Sequence, residues 1–548
     1  MSELAASPRR WRTAFFACLV LAVTCAAYLP SLRNGFTNWD DPYYVTANTA
    51  IHSLSWPAVK LIFSSSVLGM YHPLSILSLA GDYHYFGLDP RGYHAVNLAL
   101  HLANTLLVFG LLRLLCGNLA AAVAGSLLFG VHPLHVESVA WIAERKDLLC
   151  AFFYLGALGA YLRRCRAARP EAWYVLALVL LTASLLSKPM GVTFPLVLYL
   201  CDYLQGRSPG WRTHLEKLPF IALALLFAAI TLFPVGLPGP DQVPLRFTAD
   251  NLFVAAYGLI FYLGKALLPL RLSALYPYPE TAVAPIPLRF LLSPVAAALI
   301  GLAVVRSARR SRIVPFGFLF FTLTLLPVLA VRIGPHFAAD RYFYLPSFGL
   351  CYLGGIAFSR LLDGVGRSAR VRAAALIALT LVAITFSLLT WRRTQVWRDS
   401  LTLWNDVIAT HPEPSVAYLS RGLERFARGD AEGSVGDLTV YLRLSPFDAA
   451  AYKSRGTALL QAGGVEAALE DFDRAISLKP DFAEALNNRG ALLANRGELV
   501  RAIGDFTRAL NANPSYRAAL VNRAKARETL GDHESAGQDR EAALALEP

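Results

Sequence analysis

The pattern of hydrophobic and polar positions divides the chain into two parts at about residue 395. Before that point, long apolar stretches alternate with short polar segments. Stretches of this length can cross a hydrocarbon layer of about 30 Å as helices. They predict an all-α, multi-spanning domain over residues 1–395. About eleven crossings are expected, because one of the apolar stretches does not cross the membrane completely. The candidate spans are roughly 13–30, 93–115, 118–136, 147–162, 172–187, 190–204, 217–235, 250–268, 287–305, 313–332, 342–360 and 372–391.

Basic clusters between the apolar stretches set the predicted orientation. Under the positive-inside rule, the cytoplasmic segments are "RRWR" (9–12), "RRCRAAR" (163–169), "RSARRSR" (306–312) and "SRLLDGVGRSARVR" (359–372). Three apolar stretches separate residues 205–217 from the 306–312 cluster, although both segments should share one side. One of 217–235, 250–268 and 287–305 is therefore not a full crossing, and 250–268 is favoured as a re-entrant or interfacial segment. This arrangement predicts an outward-facing C-terminus.

The same assignment of polar segments to the two sides of the membrane predicts a long outer loop over residues 31–92. Two pieces of this loop, "SLSWPAVKLIFSS" and "YHPLSILSLAGDYHYFG", have the pattern of short amphipathic helices. We expect both helices to lie on the membrane surface. The other segments expected on this face are 132–147, 187–190 and 332–346.

After residue 396 an internal period of 34 residues appears. It is marked by Pro412, Pro446, Pro480, Pro514 and Pro548, and by the in-register strings "AYLSRG" (417–422), "AYKSRG" (451–456), "ALNNRG" (485–490) and "ALVNRA" (519–524). Small and aromatic positions follow at Ala468, Phe472, Ala475, Ala502, Phe506 and Ala509. This pattern resembles the tetratricopeptide repeat, in which pairs of antiparallel helices stack on one another.

The predicted repeat domain covers residues 396–548. It comprises a degenerate half-repeat (398–414) and four repeats (415–448, 449–482, 483–516 and 517–548). The first repeat departs from the pattern, with Ser434, Leu438 and Tyr441 at the small and aromatic positions. In the fourth repeat Arg540 takes the aromatic position, which suits a polar outer cap.

Composition supports a membrane protein and narrows the function. The chain is 55% hydrophobic and only 16% charged, whereas soluble domains carry about 25% charged residues. The formal net charge of +13 arises from clusters beside apolar stretches, where Lys and Arg meet anionic headgroups. No basic stripe is interleaved with aromatic residues, so nucleic-acid binding is not expected. The seven cysteines form neither a disulfide framework nor a zinc-binding spacing.

Two adjacent carboxylates, Asp40 and Asp41, stand out in "NGFTNWDDPYYV" (34–45), directly after the first apolar stretch. One interpretation is structural, because Asp before Pro favours a turn. The other is chemical, because a carboxylate can act as a general base on a hydroxyl group.

Further ionisable residues are predicted on the same outer face, and such groups at membrane depth indicate function. They are His72, His132, His135, Glu137, Arg145, Lys146, Asp147, Lys188, His336, Asp340 and Arg341. Lys188 and Arg145 also fit snorkelling anchors. His132 and His135 are a weak zinc pair without a third ligand nearby. Together the set suits a base beside cations that stabilise a phosphate leaving group.

The motifs "WDDPYYV", "HPLHVESVAWIAERKDLL", "SKPMGVTFP" and "DRYFYLPS", followed by the repeats, resemble the TMTC-type transmembrane O-mannosyltransferases and their bacterial relatives. The resemblance implies a GT-C fold and an inverting transfer of a mannose-like hexose from a polyprenyl-phosphate donor. The acceptor would be a Ser or Thr hydroxyl of a protein held by the repeats. It implies a location in a membrane, here a bacterial inner membrane, with site and repeats facing the periplasm.

The resemblance also implies roles for the residues singled out above. Asp40 or Asp41 would be the base, and either could instead orient the acceptor. The donor phosphate would contact Arg145, Lys146, Lys188 and Arg341. Supporting polar groups would be His72, His132, His135, Glu137, His336 and Asp340. No organic cofactor is implied; a divalent cation held by Asp40, Asp41, His132 and His135 remains an alternative.

Two other functions fit the same sequence. The chain can be a non-catalytic membrane anchor whose repeats assemble envelope proteins. It can also be an enzyme of the same class whose acceptor is a lipid or a glycan. The first alternative gives no reason for so many spans with charged residues gathered on one side.

Overall fold

The computed structural model describes residues 8–164, 168–208, 210–232, 250–278, 287–329, 336–363 and 368–546. The chain forms two compact units, Met1–Asp406 and Val407–Pro548, and each is considered by itself. Both units are built almost entirely from helices, so the all-α prediction is confirmed. Cys165, Pro548 and the beginning of the predicted outer segment 332–346 lie outside the described residues.

The first unit consists of helices joined by short 3₁₀ turns. Its α-helices are α1 (Pro8–Tyr28), α2 (Trp56–Ser64), α3 (Pro73–Phe86), α4 (Pro90–Cys116), α5 (Leu119–Gly130), α6 (Val136–Ala140), α7 (Arg145–Arg164), α8 (Pro170–Ser187), α9 (Phe194–Gln205), α10 (Trp211–Leu215), α11 (Leu218–Leu232), α12 (Asp250–Leu267), α13 (Leu288–Ala308), α14 (Ile313–Leu329), α15 (Ser347–Asp363) and α16 (Ala369–Thr394). Two short antiparallel strands, β1 (Tyr276–Pro277) and β2 (His336–Ala338), pair Tyr276 with Ala338.

The loop between α1 and α4 contains the two expected helices, α2 and α3. Both begin with Pro in their first turn, where the missing backbone N–H leaves no hydrogen bond unsatisfied. Before them, residues Pro42–Thr46 form a single turn of π-helix directly after the two aspartates. The placement of α2 and α3 on a membrane surface stays a prediction.

The structure does not confirm about eleven crossings. In the described part of the chain six helices are long and apolar enough to span a membrane, or seven if α5 and the following segment Pro133–Ala140, bent by 52°, form one span. The other predicted spans correspond to short or charged helices. For example, the stretch 190–204 begins in a 3₁₀ turn, and α9 is 12 residues long. At 1.5 Å per residue this is about 18 Å, well below the thickness of a hydrocarbon core.

The centre of the first unit is the segment 129–151, in which every residue is buried. It includes the end of α5, a 3₁₀ turn at Pro133–His135, the short helix α6, and the start of α7. The same segment carries "ERKD" (144–147), so four charged side chains lie inside the protein. Buried charges are stable only when they are paired. These four therefore need partners from elsewhere in the chain.

The second unit is a stack of antiparallel helix pairs. Helix α17 (Ser400–Thr410) spans the division at residue 406 and is followed by α18 (Ser415–Ala427), α19 (Ala431–Leu444), α20 (Ala449–Gln461), α21 (Val465–Leu478), α22 (Ala483–Asn495), α23 (Leu499–Ala512), α24 (Arg517–Thr529) and α25 (His533–Leu544). Each predicted repeat contains one pair. In every repeat the two helices are joined at a glycine with positive φ: Gly429, Gly463, Gly497 and Gly531. Glycine adopts this conformation without steric cost.

The glycine of the "SRG" and "NRG" strings explains how the helices of a pair approach each other. A Cβ atom on Gly490 would lie 2.8 Å from the ring of Phe506, and Gly456 has the same relation to Phe472. In the fourth repeat Ala524 occurs at the glycine position, and the facing residue is the half-exposed Arg540 instead of a buried Phe. Glycine therefore occurs where a buried Phe packs against the first helix, and in the fourth repeat alanine occurs where that Phe is absent.

A row of ion pairs also follows the 34-residue period. In each repeat an Arg of the first helix donates through two nitrogens to both carboxylate oxygens of an Asp on the second helix. The pairs are Arg421–Asp437, Arg455–Asp471, Arg489–Asp505 and Arg523–Asp539.

Candidate functional site

The two aspartates of the loop between α1 and α4 have different surroundings. Asp41 is buried, and its carboxylate accepts hydrogen bonds from Thr37 N at 2.8 Å, Thr37 Oγ1 at 3.0 Å and Ala143 N at 3.0 Å. Burial raises the pKa of Asp41 to about 7, although the hydrogen bonds from Thr37 and Ala143 oppose this shift. Asp41 thus joins this loop to the buried 129–151 segment.

Asp40 retains more contact with solvent, since its side chain is 20% exposed. One of its carboxylate oxygens lies 3.9 Å from Lys146 Nζ. Burial raises the pKa of Asp40, and the charge of Lys146 offsets part of the shift. A carboxylate that faces a cation and is still accessible can accept a proton from a hydroxyl group.

Three cations from three separate parts of the chain meet at Glu144. Glu144 Oε1 lies 3.1 Å from Lys146 Nζ and 3.4 Å from Arg341 Nε, and Oε2 lies 3.4 Å from Lys188 Nζ. Lys146 belongs to the first turn of α7, Lys188 directly follows α8, and Arg341 lies in a 3₁₀ turn after β2. Although burial opposes ionisation, the three cations hold the pKa of Glu144 well below its ordinary value.

Two further carboxylates complete the cluster. Asp147 Oδ1 lies 2.5 Å from Lys188 Nζ, and Glu137 accepts the backbone N–H of Arg341 at 3.0 Å as well as its guanidinium. The side chains of Lys188 and Arg341 are 11% and 10% exposed. They reach the surface more than Lys146, whose side chain is 3% exposed.

Aromatic rings line the cationic cluster. Lys146 Nζ lies 4.4 Å from the ring centre of Tyr44 and donates to its hydroxyl at 3.2 Å. The guanidinium of Arg341 lies 4.9 Å from the ring of Tyr342 and 5.6 Å from that of Trp141. These contacts stabilise the cations in a region with little water. We call the set Asp40, Glu137, Glu144, Lys146, Asp147, Lys188 and Arg341 the charged cluster.

Arg145 does not belong to the charged cluster. Its guanidinium pairs with Asp82 of α3 and donates to Asn97 Oδ1 at 2.7 Å and to the carbonyl of Tyr93 at 2.8 Å. The side chain is fully buried. The structure therefore places this predicted phosphate-binding residue in a separate ion pair that joins α3 to α4 and α7.

The rings of His132 and His135 also form hydrogen bonds with neighbouring protein groups. The ring of His132 bonds to the backbone N–H of Leu134 and the carbonyl of Ala266, and that of His135 contacts the carbonyl of Phe129 and the hydroxyl of Ser347. Among the described residues, no group of three or more His, Cys, Asp or Glu side chains is arranged to hold a metal ion. The possible cation site at Asp40, Asp41, His132 and His135 is therefore not assembled.

The remaining predicted residues lie around the cluster. His72 is buried and stacks on Tyr44, with ring centres 5.3 Å apart, and burial lowers its pKa to about 3. His336 Nε2 lies 3.4 Å from Arg341, and burial lowers its pKa to about 3. Asp340 accepts a hydrogen bond from Tyr276 at 2.9 Å, and burial raises its pKa to about 8.

The most central residue, Glu144, is not among the residues singled out from the sequence, and neither are Tyr44 and Trp141. A signal for Glu144 is present, because it opens the run "ERKD" within an apolar segment. Adjacent charges of both signs in such a segment need partners close to one another. Tyr44 and Trp141 carry no comparable signal, since aromatic residues are common at membrane surfaces.

The sequence of this chain is similar to the sequences of known proteins. Protein O-mannosyl-transferase Tmtc1 of Drosophila melanogaster is 26% identical over 529 residues, which cover 77% of this chain and 60% of the relative. Protein O-mannosyl-transferase TMTC4 of Homo sapiens is 26% identical over 430 residues, or 67% of this chain and 56% of the relative. This chain is homologous to the TMTC-type protein O-mannosyl-transferases. The resemblance expected from the motifs is confirmed.

Over a shorter part of the chain, the sequence identity to a TMTC-type protein is higher. Tmtc2 of Drosophila melanogaster is 32% identical over 254 residues, 44% of this chain and 26% of the relative. The chain thus spans less than two thirds of the length of these relatives. A family model described as tetratricopeptide repeat matches residues 454–515, within the second and third repeats.

Two solved structures each match part of the chain. The crystal structure of MamA has a TM-score of 0.26 and 22% identity, covering 27% of this chain and 86% of MamA. YrrB, a protein described as having an unusual peptide-binding site, has a TM-score of 0.25 and 19% identity, covering 35% of this chain and 93% of YrrB.

Proposed function

We propose that this membrane protein is an inverting glycosyltransferase. It would transfer a mannose-like hexose from a polyprenyl-phosphate donor to a Ser or Thr hydroxyl of a protein. The convergence of Lys146, Lys188 and Arg341 on Glu144 beside Asp40 carries this proposal. The names of the TMTC-type relatives support mannose as the sugar and a protein as the acceptor.

Asp40 is the proposed general base. Its carboxylate takes the proton of the acceptor hydroxyl, and the resulting oxygen nucleophile forms a bond to C1 of the sugar. The bond between C1 and the phosphate oxygen breaks in the same displacement, so the configuration at C1 inverts. Asp40 is favoured over Asp41 because three hydrogen bonds already occupy the buried Asp41 carboxylate.

The three cations are the proposed site of the donor phosphate. The leaving group is the polyprenyl phosphate, which gains negative charge as the bond to the sugar breaks. Lys188 and Arg341, whose side chains are partly exposed, would face this charge, and Lys146 would connect the phosphate site to the base. Cations fixed in a site of low water content stabilise such a charge more strongly than cations in solution.

Glu144 is the proposed organiser of this site. Without a carboxylate between them, three like charges within a few ångströms would repel one another. Its presence allows the cations to stay close together before the donor binds. The apolar helices around the cluster supply the surface for the polyprenyl chain.

The repeat unit is the proposed binding site for the protein acceptor. Tetratricopeptide repeats present a groove between stacked helices that is suited to peptides. We further propose that the protein resides in a bacterial inner membrane, with the charged cluster and the repeats facing the periplasm. A reporter fused after the last repeat would be periplasmic, and a cytoplasmic reporter would contradict this orientation.

The direct test uses the purified full-length protein in lipid nanodiscs with radiolabelled polyprenyl-phosphate mannose and a Ser/Thr-rich acceptor protein. We expect label in the acceptor and release of polyprenyl phosphate. Lys188→Met and Arg341→Met should raise the donor KM, whereas Lys60→Met, at an exposed site on α2, should not. Absence of transfer by the wild-type protein would contradict the proposed function. Transfer to a lipid or glycan alone would contradict the protein acceptor.

A further inference from the structure

The loop that carries Asp40 is held by a segment more than three hundred residues away in the chain. Hydrogen bonds join residues 34–38 to residues 394–404, all within the first unit. They run from Asn34 Nδ2 to Thr394 O (2.9 Å), from Gly35 N to Arg398 O (2.8 Å), from Asn38 N to Ser400 Oγ (3.0 Å) and from Trp404 Nε1 to Asn38 Oδ1 (2.7 Å).

Stacked indoles reinforce this connection. Trp39 stacks on Trp141 with ring centres 4.6 Å apart and lies 5.1 Å from Trp404. Trp397 stacks on Trp141 at 5.2 Å. Trp141, Trp397 and Trp404 are buried. Aromatic pairs of this geometry add to the free energy gained from burial alone.

Asp40 therefore lies between two fixed residues. On one side Trp39 is packed among the indoles of Trp141, Trp397 and Trp404. On the other side Asp41 is bonded to Thr37 and Ala143. The position of the Asp40 carboxylate relative to Lys146 is then set by its neighbours along the chain.

We infer that the segment 394–404 is a positioning element for the carboxylate of Asp40, with Trp404 and Ser400 as positioning residues. This inference rests on the proposed function, in which Asp40 is the base. Trp404 acts through Asn38, and Ser400 acts through the backbone of the same residue. Displacement of a catalytic group by about 1 Å can reduce a rate by about a hundredfold. The segment thus bears on kcat without contacting the donor.

If segment 394–404 had only a structural role, substitutions in it would be expected to give a different result. In that case any loss of packing among the four indoles would have the same effect on the protein. Trp397 offers the matched control, because its indole Nε1 has no hydrogen-bond partner among the described residues. Trp404→Phe and Trp397→Phe remove the same atoms from the same aromatic cluster. Only Trp404→Phe removes a hydrogen bond to the loop.

The first measurement is hydrogen exchange of the full-length protein in nanodiscs, followed by mass spectrometry of peptides covering residues 34–45. We expect faster exchange of these peptides in Trp404→Phe and Ser400→Ala than in Trp397→Phe. Equal exchange in the three variants would overturn the inference, whether or not the protein transfers mannose. If the wild-type protein proves inactive, the proposed function fails, and a selective change in exchange still supports the hold on the loop.

The second measurement is kinetic. With polyprenyl-phosphate mannose as donor, Trp404→Phe should lower kcat by about tenfold while donor KM changes by less than about twofold. Trp397→Phe should change kcat by less than about twofold. An equal loss of kcat in both variants would overturn the inference in favour of general packing.

A double variant tests whether Trp404 acts through Asn38. If it does, Asn38→Ala and Trp404→Phe should not add, because both remove the same interaction. The double variant should match Asn38→Ala alone to within about twofold in kcat. Asn38→Asp, which keeps the acceptor oxygen, should restore most of the activity lost in Asn38→Ala. Additive losses, or no rescue by Asn38→Asp, would contradict the proposed route.

Discussion

The carboxylates of Asp40 and Asp41 have different partners although the residues are adjacent in the chain. Asp41 accepts three hydrogen bonds from Thr37 and Ala143, whereas Asp40 faces Lys146 at 3.9 Å. Within this acidic motif, Asp41 holds the loop in place, and Asp40 presents its carboxylate to Lys146. Substitution of each residue should therefore have a different effect on activity and on stability.

Asp40→Asn should abolish transfer without changing thermal stability, because the amide cannot accept a proton and makes similar contacts. Asp41→Asn should instead destabilise the protein by about 1–3 kcal/mol, since its amide would place N–H groups against the donors of Thr37 and Ala143. Turnover of polyprenyl-phosphate mannose and thermal unfolding in detergent separate the two effects. Full activity of Asp40→Asn would refute its role as the base.

Activity should rise with pH through the pKa of Asp40, because the base must be ionised. Burial raises this pKa above its ordinary value of 3.8, and the positive charge of Lys146 lowers it. Lys146→Met removes the favourable charge, so the ascending limb of the kcat/KM profile should move to higher pH. Lys60→Met is the control and should leave the limb in place. A limb that stays fixed or moves to lower pH in Lys146→Met would contradict the assignment.

Arg341 and Arg145 should respond differently to the same substitution. Arg341→Met should raise the donor KM by about tenfold, which corresponds to about 1.4 kcal/mol of lost binding. Arg145→Met should leave the donor KM unchanged but reduce stability by about 3–5 kcal/mol, because Asp82 stays buried without its cation. Replacing Asp82 by Leu in the same chain should recover much of that stability. A rise in donor KM for Arg145→Met would place Arg145 back among the phosphate-binding groups.

The close approach of Gly490 to Phe506 predicts a local sensitivity in the repeats. Gly490→Ala adds a methyl group 2.8 Å from the ring and should cost about 1–3 kcal/mol. Gly504→Ala is the control: a Cβ there has nothing within 4 Å, and the substitution should stabilise α23 by about 0.5–1 kcal/mol. Limited proteolysis of the full chain, followed through a C-terminal tag, would rank the variants. Rescue of Gly490→Ala by Phe506→Leu would confirm the cause.

Two aspartates that share Arg489 allow a buried and an exposed ion pair to be compared. The Asp505 side chain is 7% exposed and binds the guanidinium through both oxygens, whereas that of Asp473 is 56% exposed. Asp505→Ala should therefore destabilise the repeats by about 3 kcal/mol, and Asp473→Ala by less than about 1 kcal/mol. The same proteolysis assay measures both, and a larger loss for Asp473→Ala would contradict this ranking.

The repeats were predictable from sequence because their signal is periodic. Prolines, small residues and Phe472 and Phe506 recur at fixed positions, so many observations support a single register. The crossing count rests on weaker evidence, since hydropathy does not reveal where a helix begins. The 3₁₀ turn at Pro189–Thr193 shortens α9 without changing the apolar character of the stretch.

The membership of the charged cluster depends on helix phase. Arg145 and Lys146 are consecutive in α7, and successive residues of an α-helix point about 100° apart. One therefore faces Glu144 and the other faces Asp82. The sequence places both residues at the same depth but does not state which of them turns toward Asp40. Only the packing of α3 and α4 against α7 decides this.

The bonds between residues 34–38 and 394–404 affect how chimaeras of this protein should be made. The last long apolar helix ends at Thr394, which makes that position an obvious place to exchange one repeat array for another. A junction there would exchange the partners of Asn38 and Trp39 together with the array. A junction placed after α17, which ends at Thr410, keeps those partners with the membrane unit, and recognition modules can then be grafted without disturbing the proposed base.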